Sequence, residues 1–135
     1  MKLQNKKPLI VILSAFKTGK SYKENKVRNN LLESMLHEHN LATKHVEGVW
    51  QGESEDSILV ALNSKKDLET VKNFAFKNFD QDVILFSNEN RDSILITKDG
   101  GEIELGKLKR ISEKEALKKQ CFTYDPSSQT YWHCN

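Results

Sequence analysis

Proline and cysteine are scarce in this 135-residue chain, at two each, and there are only six glycines. Cys121 and Cys134 alone make no disulfide framework, which excludes the small secreted scaffolds held by several bridges. A reducing cytoplasm is therefore the expected compartment, the host cytoplasm if the chain is viral. No apolar run approaches the roughly 20 residues that cross a bilayer, so a membrane is not an expected partner. The basic start leads into an apolar stretch too short for a signal peptide and without a small-residue cleavage site. Repeats and low-complexity tracts are missing, and the length suits one domain over residues 1–135.

Charge is plentiful but almost balanced, with 30% charged residues and a net +2. It is unevenly spread. Residues 1–28 carry eight Lys or Arg against one acid, Glu24, whereas residues 47–56 are acidic. A local positive field favours anionic partners. The composition, rich in Lys, Asn, Glu and Ser, fits an AT-rich genome such as that of a phage or a low-GC bacterium.

Hydrophobic spacing predicts the elements. Residues 9–14 read as a buried strand behind Pro8. Ser21 and Glu24 form a capping box, opening a helix on which Val27, Leu31, Met35 and Leu36, with Leu32 beside them, recur at helical spacing until Asn40. Residues 43–49 read as a strand, 48–55 as a polar connection holding Trp50, and 57–62 as a strong strand. Ser64 is the expected cap of a second helix with Leu68, Val71, Ala75 and Phe79 inward, and a strand follows at 82–87. The order β-α-β-β-α-β predicts an α+β, ferredoxin-like sheet with both helices on one face and its core in residues 9–87. Residues 88–135 read as a β-rich extension. It holds a hairpin around Gly100 and Gly101, a third helix opened by Ser112 and Glu115, and an aromatic hairpin bearing Phe122, Tyr124, Tyr131 and Trp132. That last hairpin would cover a sheet edge or form a homodimer seam.

Strand, loop and helix with Thr18-Gly19-Lys20-Ser21 at the junction imitate a phosphate-binding P-loop. The first glycine of that motif is replaced by Ser14, and a side chain there obstructs the curl around a phosphate. The strand at 82–87 ends without the acid that would hold magnesium. A nucleotide triphosphatase is therefore not the reading. The start of a helix still offers free amides and a positive dipole end beside Lys17, Lys20 and Lys23, a place for an anion. Other constellations are thinner. His37 and His39 point apart on a helix, and Cys121, His133 and Cys134 lack a fourth zinc ligand. Strands 9–14 and 57–62 have no aromatic on which a base could stack, which leaves only weak, charge-driven nucleic-acid binding. No metal or cofactor motif is present.

One pattern spans residues 9–87: Ile12-Leu13-Ser14-Ala15-Phe16, then Ser21, Asn25, Asn29 and Leu32, then Gly48, Glu55-Asp56-Ser57 and Phe79-Asp80-Gln81 before an apolar strand. It resembles the small bacterial and phage proteins of domain-of-unknown-function family three-two-nine-three, with Lys17 and Thr18 where that family tends to have Asn and Pro. The resemblance implies a shared cleft, and the candidate ligand-binding residues are Ser14, Lys17, Thr18, Lys20, Ser21, Asn25, Asn29, Glu55, Ser57 and Gln81. The expected function is a non-enzymatic binding protein that holds an anionic, nucleotide-like ligand or an acidic host-protein surface, as a counter-defence inhibitor would. The alternatives are a small hydrolase or transferase acting on a phosphorylated substrate, with Glu53 or Glu55 as base, and a charge-driven nucleic-acid binder.

Overall fold

In the computed structural model, which describes residues 7–50 and 53–134, eight strands close into one antiparallel barrel. They are β1 (Leu9–Leu13), β2 (Ala42–Trp50), β3 (Glu53–Leu62), β4 (Val83–Ser87), β5 (Asp92–Thr97), β6 (Glu102–Ile111), β7 (Cys121–Asp125) and β8 (Thr130–Cys134). Helix α1 (Tyr22–Glu38) joins β1 to β2, and α2 (Lys66–Asn73) runs into a π turn, Phe74–Asn78, before β4. A short α3 (Glu113–Ala116) follows β6. Around the barrel the order is β1-β3-β2-β7-β8-β6-β5-β4.

The expected ferredoxin-like sheet is overturned. Its four strands do stand side by side as β4-β1-β3-β2, but such a sheet leaves unpaired amides and carbonyls along two edges. Residues 88–135 use both edges. β5 pairs with β4, β7 pairs with the second half of β2, and β6 and β8 join the two. What reads as an extension is half of the barrel wall.

Strand side chains alternate, so the wall has two faces. Outward from β1, β3 and β4, Val11, Leu13, Ile58, Val60, Leu62, Ile84 and Phe86 pack under Leu32 and Leu36 of α1 and under Val71, Ala75 and Phe79. Burying each such side chain contributes about 1.5–3 kcal/mol. Inward, the cross-strand partners Ile10 and Ser87, Ser87 and Ser93, and Val46 and Ser57 are all buried, and Ser93 Oγ donates to Ser87 Oγ at 3.1 Å. The helices therefore clothe one side of the barrel, while a separate, more polar layer fills its middle.

Three local expectations are corrected. Val27 and Leu31 of α1 are exposed, at 62% and 55%, because the inward stripe is Asn25, Asn29, Leu32 and Leu36. Ser64 does not cap α2. Asp67 Oδ2 accepts from the Asn63 and Ser64 amides instead, at 2.8 and 3.0 Å. Residues read as a polar connection belong to β2 and β3, with Gly48 opposite Glu55 and Val49 opposite Ser54; Gln51 and Gly52 lie outside the described residues. Finally, β6 shifts register beside Gly106 (φ +85°), a left-handed backbone that glycine adopts without strain. Its first half pairs with β5 and its last four residues with β8.

Candidate functional site

Two adjoining cavities share Glu55, Ser57, Leu85 and Leu95. The first, about 450 Å³, is the open end of the barrel interior. Its walls are mostly apolar: Leu85, Leu95, Leu105, Leu108 and Trp132, with Glu53, Glu55 and the two cysteines at the rim. Leu105 is the extra residue of the β6 bulge, between Glu104 opposite Ile94 and Gly106 opposite Ser93. The second cavity, about 440 Å³, lies between the β1–α1 loop and the start of β4, lined by Ser14, Phe16, Lys17, Thr18, Asp80, Gln81 and Asp82.

The β1–α1 loop is held from beneath by α1. Asn29 Oδ1 accepts from the Ala15 amide at 2.7 Å, and its Nδ2 donates to the Asp56 carbonyl at 3.0 Å. Asn25 Oδ1 accepts from the Lys17 amide at 2.9 Å. Arg28 donates to the carbonyls of Ala15 and Phe79 at 2.6 and 2.7 Å, with its guanidinium over the Phe79 ring. Ser14 Oγ donates to the Asp56 carbonyl at 3.0 Å and accepts from the Phe16 amide. The loop is thus tied to α1, to β3 and to the segment before β4, and it has little freedom to curl around a phosphate.

The charges at this end are largely paired. Lys17 Nζ donates to the Asp80 carboxylate at 2.9 Å and to the Asp80 carbonyl at 2.6 Å. Lys98 pairs with the same carboxylate, and the two ammonium groups hold Asp80 down to about 2. Glu55 differs. The cavity wall strips water from its carboxylate and, with the neighbouring Asp56, pushes its pKa up, although the Ser14 hydroxyl pulls the other way. Its side chain still reaches solvent on one side. A partly desolvated carboxylate with no cationic partner among the described residues, at the seam of two cavities, is a place for a positively charged group.

Of the ten residues singled out from the sequence, Ser14, Lys17, Thr18, Glu55, Ser57 and Gln81 come together on the second cavity. Asn25 and Asn29 lie beneath it and serve the loop backbone. Ser21 caps α1, its Oγ accepting from the Glu24 amide at 3.1 Å, while Glu24 reaches back to the Ser21 amide. Lys20 stands exposed in the turn and lines neither cavity. The apolar chamber went unpredicted. Leu85, Leu95 and Leu108 sit on the faces of β4, β5 and β6 that turn away from the helices, and their alternation with Ile84, Ile96 and neighbouring polar residues is the signal that marks them.

No curated protein matches the chain. The profile of the S-Adenosylmethionine lyase family matches residues 11–135, all but the first ten. That span overturns the resemblance to an unknown-function family, which rested on residues 9–87 and on short patterns around strand ends. It also overturns the non-enzymatic, anion-holding binder, since this is a family of enzymes named for a cationic substrate. Across the barrel, the loop tied down by α1 and both halves of the wall, the chain belongs to the S-adenosylmethionine lyase family.

Proposed function

We propose that the protein cleaves S-adenosylmethionine at a carbon–sulfur bond of its sulfonium, with the substrate spread across both cavities. The observation that carries this reading is Glu55 at their seam, within a family named for that reaction. The adenosine would enter the apolar chamber against Trp132 and the leucines, where burial of a flat ring is favourable. The methionine end would lie in the second cavity, with its ammonium at Glu55 and its carboxylate toward Ser14, Lys17 and Thr18.

Chemistry narrows the step. A hydrogen beta to the sulfonium has no acidifying neighbour, so a single carboxylate is a poor base for an elimination. The substrate's own carboxylate can instead attack the carbon next to sulfur. That closes a five-membered lactone and expels a neutral thioether, with no proton to move and no oxidant. This displacement consumes one negative and one positive charge, and so it gains from a chamber poorer in water than bulk solvent. The protein's part is then to fold the methionine chain back on itself and to exclude water.

The test is to incubate the purified protein with S-adenosylmethionine and to identify the products by mass spectrometry and proton NMR. Methylthioadenosine with homoserine lactone is the expected pair. A vinyl amino acid would replace displacement by elimination. Recovery of intact S-adenosylmethionine at high protein concentration would defeat the reading.

A further inference from the structure

β7 and β8 form an antiparallel pair in which Thr123 faces Trp132, Tyr124 faces Tyr131 and Asp125 faces Thr130. The ladder ends at Thr123 and Trp132; two residues beyond it, Cys121 at the start of β7 pairs with β2 and Cys134 at the end of β8 pairs with Leu108 of β6, so the two cysteines stand at the open end of the β7–β8 pair. Alternation puts both on the same face as Thr123 and Trp132, and both line the apolar chamber. Both thiols are free and half-buried. Closing these two strand ends to the spacing of the pairs behind them, about 4.5–5.5 Å between Cα atoms, brings the cysteines inside the roughly 4.4–6.8 Å range that a disulfide spans.

We propose that Cys121 and Cys134 are a thiol–disulfide modification site at the rim of the chamber, which a low-molecular-weight disulfide such as oxidised glutathione converts into a cross-strand bridge that narrows the chamber mouth. The exchange balances without another reagent. The Cys121 thiolate attacks one sulfur of the glutathione disulfide and releases one glutathione thiolate. The Cys134 thiolate then attacks the Cys121 sulfur and expels the second glutathione. The two protein thiol protons end on the two glutathione thiolates, and the two electrons lost by the protein reduce the glutathione disulfide. Burial and the adjacent Cys121 push the Cys134 thiol pKa up, which suits Cys134 to the second, intramolecular attack rather than the first. Closure matters because the bridge would replace two separate thiols in the chamber wall with one fixed link at the end of two strands.

The effect on turnover rests on the lyase reading, whereas the thiol chemistry does not. The full chain is equilibrated in buffers of reduced and oxidised glutathione and read by intact mass. Chamber access is followed by acrylamide quenching of Trp132 in a Trp50→Phe background. The expected result is loss of two hydrogens, severalfold weaker quenching of Trp132, and a reversible severalfold fall in turnover, all restored by dithiothreitol. In Cys121→Ser and in Cys134→Ser the ratio of oxidised to reduced signal should stay near one. Glutathione adducts without an internal bridge in the wild-type chain would overturn the proposal. So would a bridge that leaves Trp132 quenching unchanged. If quenching responds as expected but S-adenosylmethionine is never consumed, the lyase reading fails and the redox site stands.

Discussion

Asn29 offers the sharpest test of how the site is assembled. Its side chain is 5% exposed and spans two backbone groups from different elements, the Ala15 amide and the Asp56 carbonyl. Asn29→Ala removes both bonds. A buried amide left without an acceptor costs about 1–3 kcal/mol, and loss of a net hydrogen bond to the carbonyl adds about 0.5–1.5 kcal/mol. Because Ser14 Oγ still donates to that carbonyl, the second cost should lie at the low end. The expected loss is therefore roughly 1.5–3.5 kcal/mol, which for a chain of this size lowers the thermal midpoint by roughly 5–18 °C. Urea unfolding with an unchanged m-value would assign the effect to the native state. Asn29→Asp separates the two bonds, since a carboxylate can still accept from Ala15 but has no N–H for Asp56. It should fall between the wild type and Asn29→Ala. If the loop carries part of the substrate, KM should rise more than kcat falls in both variants. A loss below about 0.5 kcal/mol in Asn29→Ala would refute the idea that this side chain ties the loop to the barrel.

Glu55→Gln should cut kcat/KM for S-adenosylmethionine by tenfold or more while leaving the unfolding midpoint nearly unchanged, as measured by a coupled product assay and by thermal melting. Since the Glu55 pKa lies above its ordinary 4.5, affinity for the cationic substrate should rise as pH increases through that raised range, and the slope should vanish in Glu55→Gln. Asp125 behaves oppositely. Burial alone would raise its pKa, but hydrogen bonds from Lys44, Ser127 and Ser128 outweigh burial and bring it to about 2. Its stabilisation is complete above the unfolded value of 3.8 and is lost as pH falls toward 2. Acid unfolding of Asp125→Asn should therefore lack about 2 kcal/mol of the wild-type loss between those values. Asp80→Asn releases Lys17 from its carboxylate partner. A change in KM that weakens with added salt, without a shift in the melting midpoint, is the expected readout.

Local signals were readable in the residues. Ser21 with Glu24, and Ser112 with Glu115, form the capping boxes that their spacing announces, and Gly100 takes the positive φ that its hairpin needs. Barrel closure was not readable, because the β2–β7 and β6–β8 seams join residues far apart in the chain and leave no periodicity of their own. The α1 stripe misled for a physical reason. Asn25 and Asn29 face inward to serve loop amides, so counting apolar residues turned the helix toward Val27 and Leu31. Residues 48–55 read as a loop because the cavity end of β2 and β3 presents Gly48, Glu53 and Glu55 rather than aliphatic side chains. Glu55, one of ten candidates, is legible in the sequence only as an acid beside a strand start. Trp132 and Leu108, which line the same chamber, come from strands whose neighbours only the closed barrel reveals.

The seam where Glu47 meets Tyr124 and Val49 meets Phe122 has a consequence for biogenesis. The helix-backed core can assemble once β5 has been made, since Ile96 is the last residue in it and pairs with Ile84. The chamber cannot. It comes into being only when the last-made residues dock against β2, so a chain clipped before β7 would lack the wall that Cys121, Thr123 and Trp132 supply.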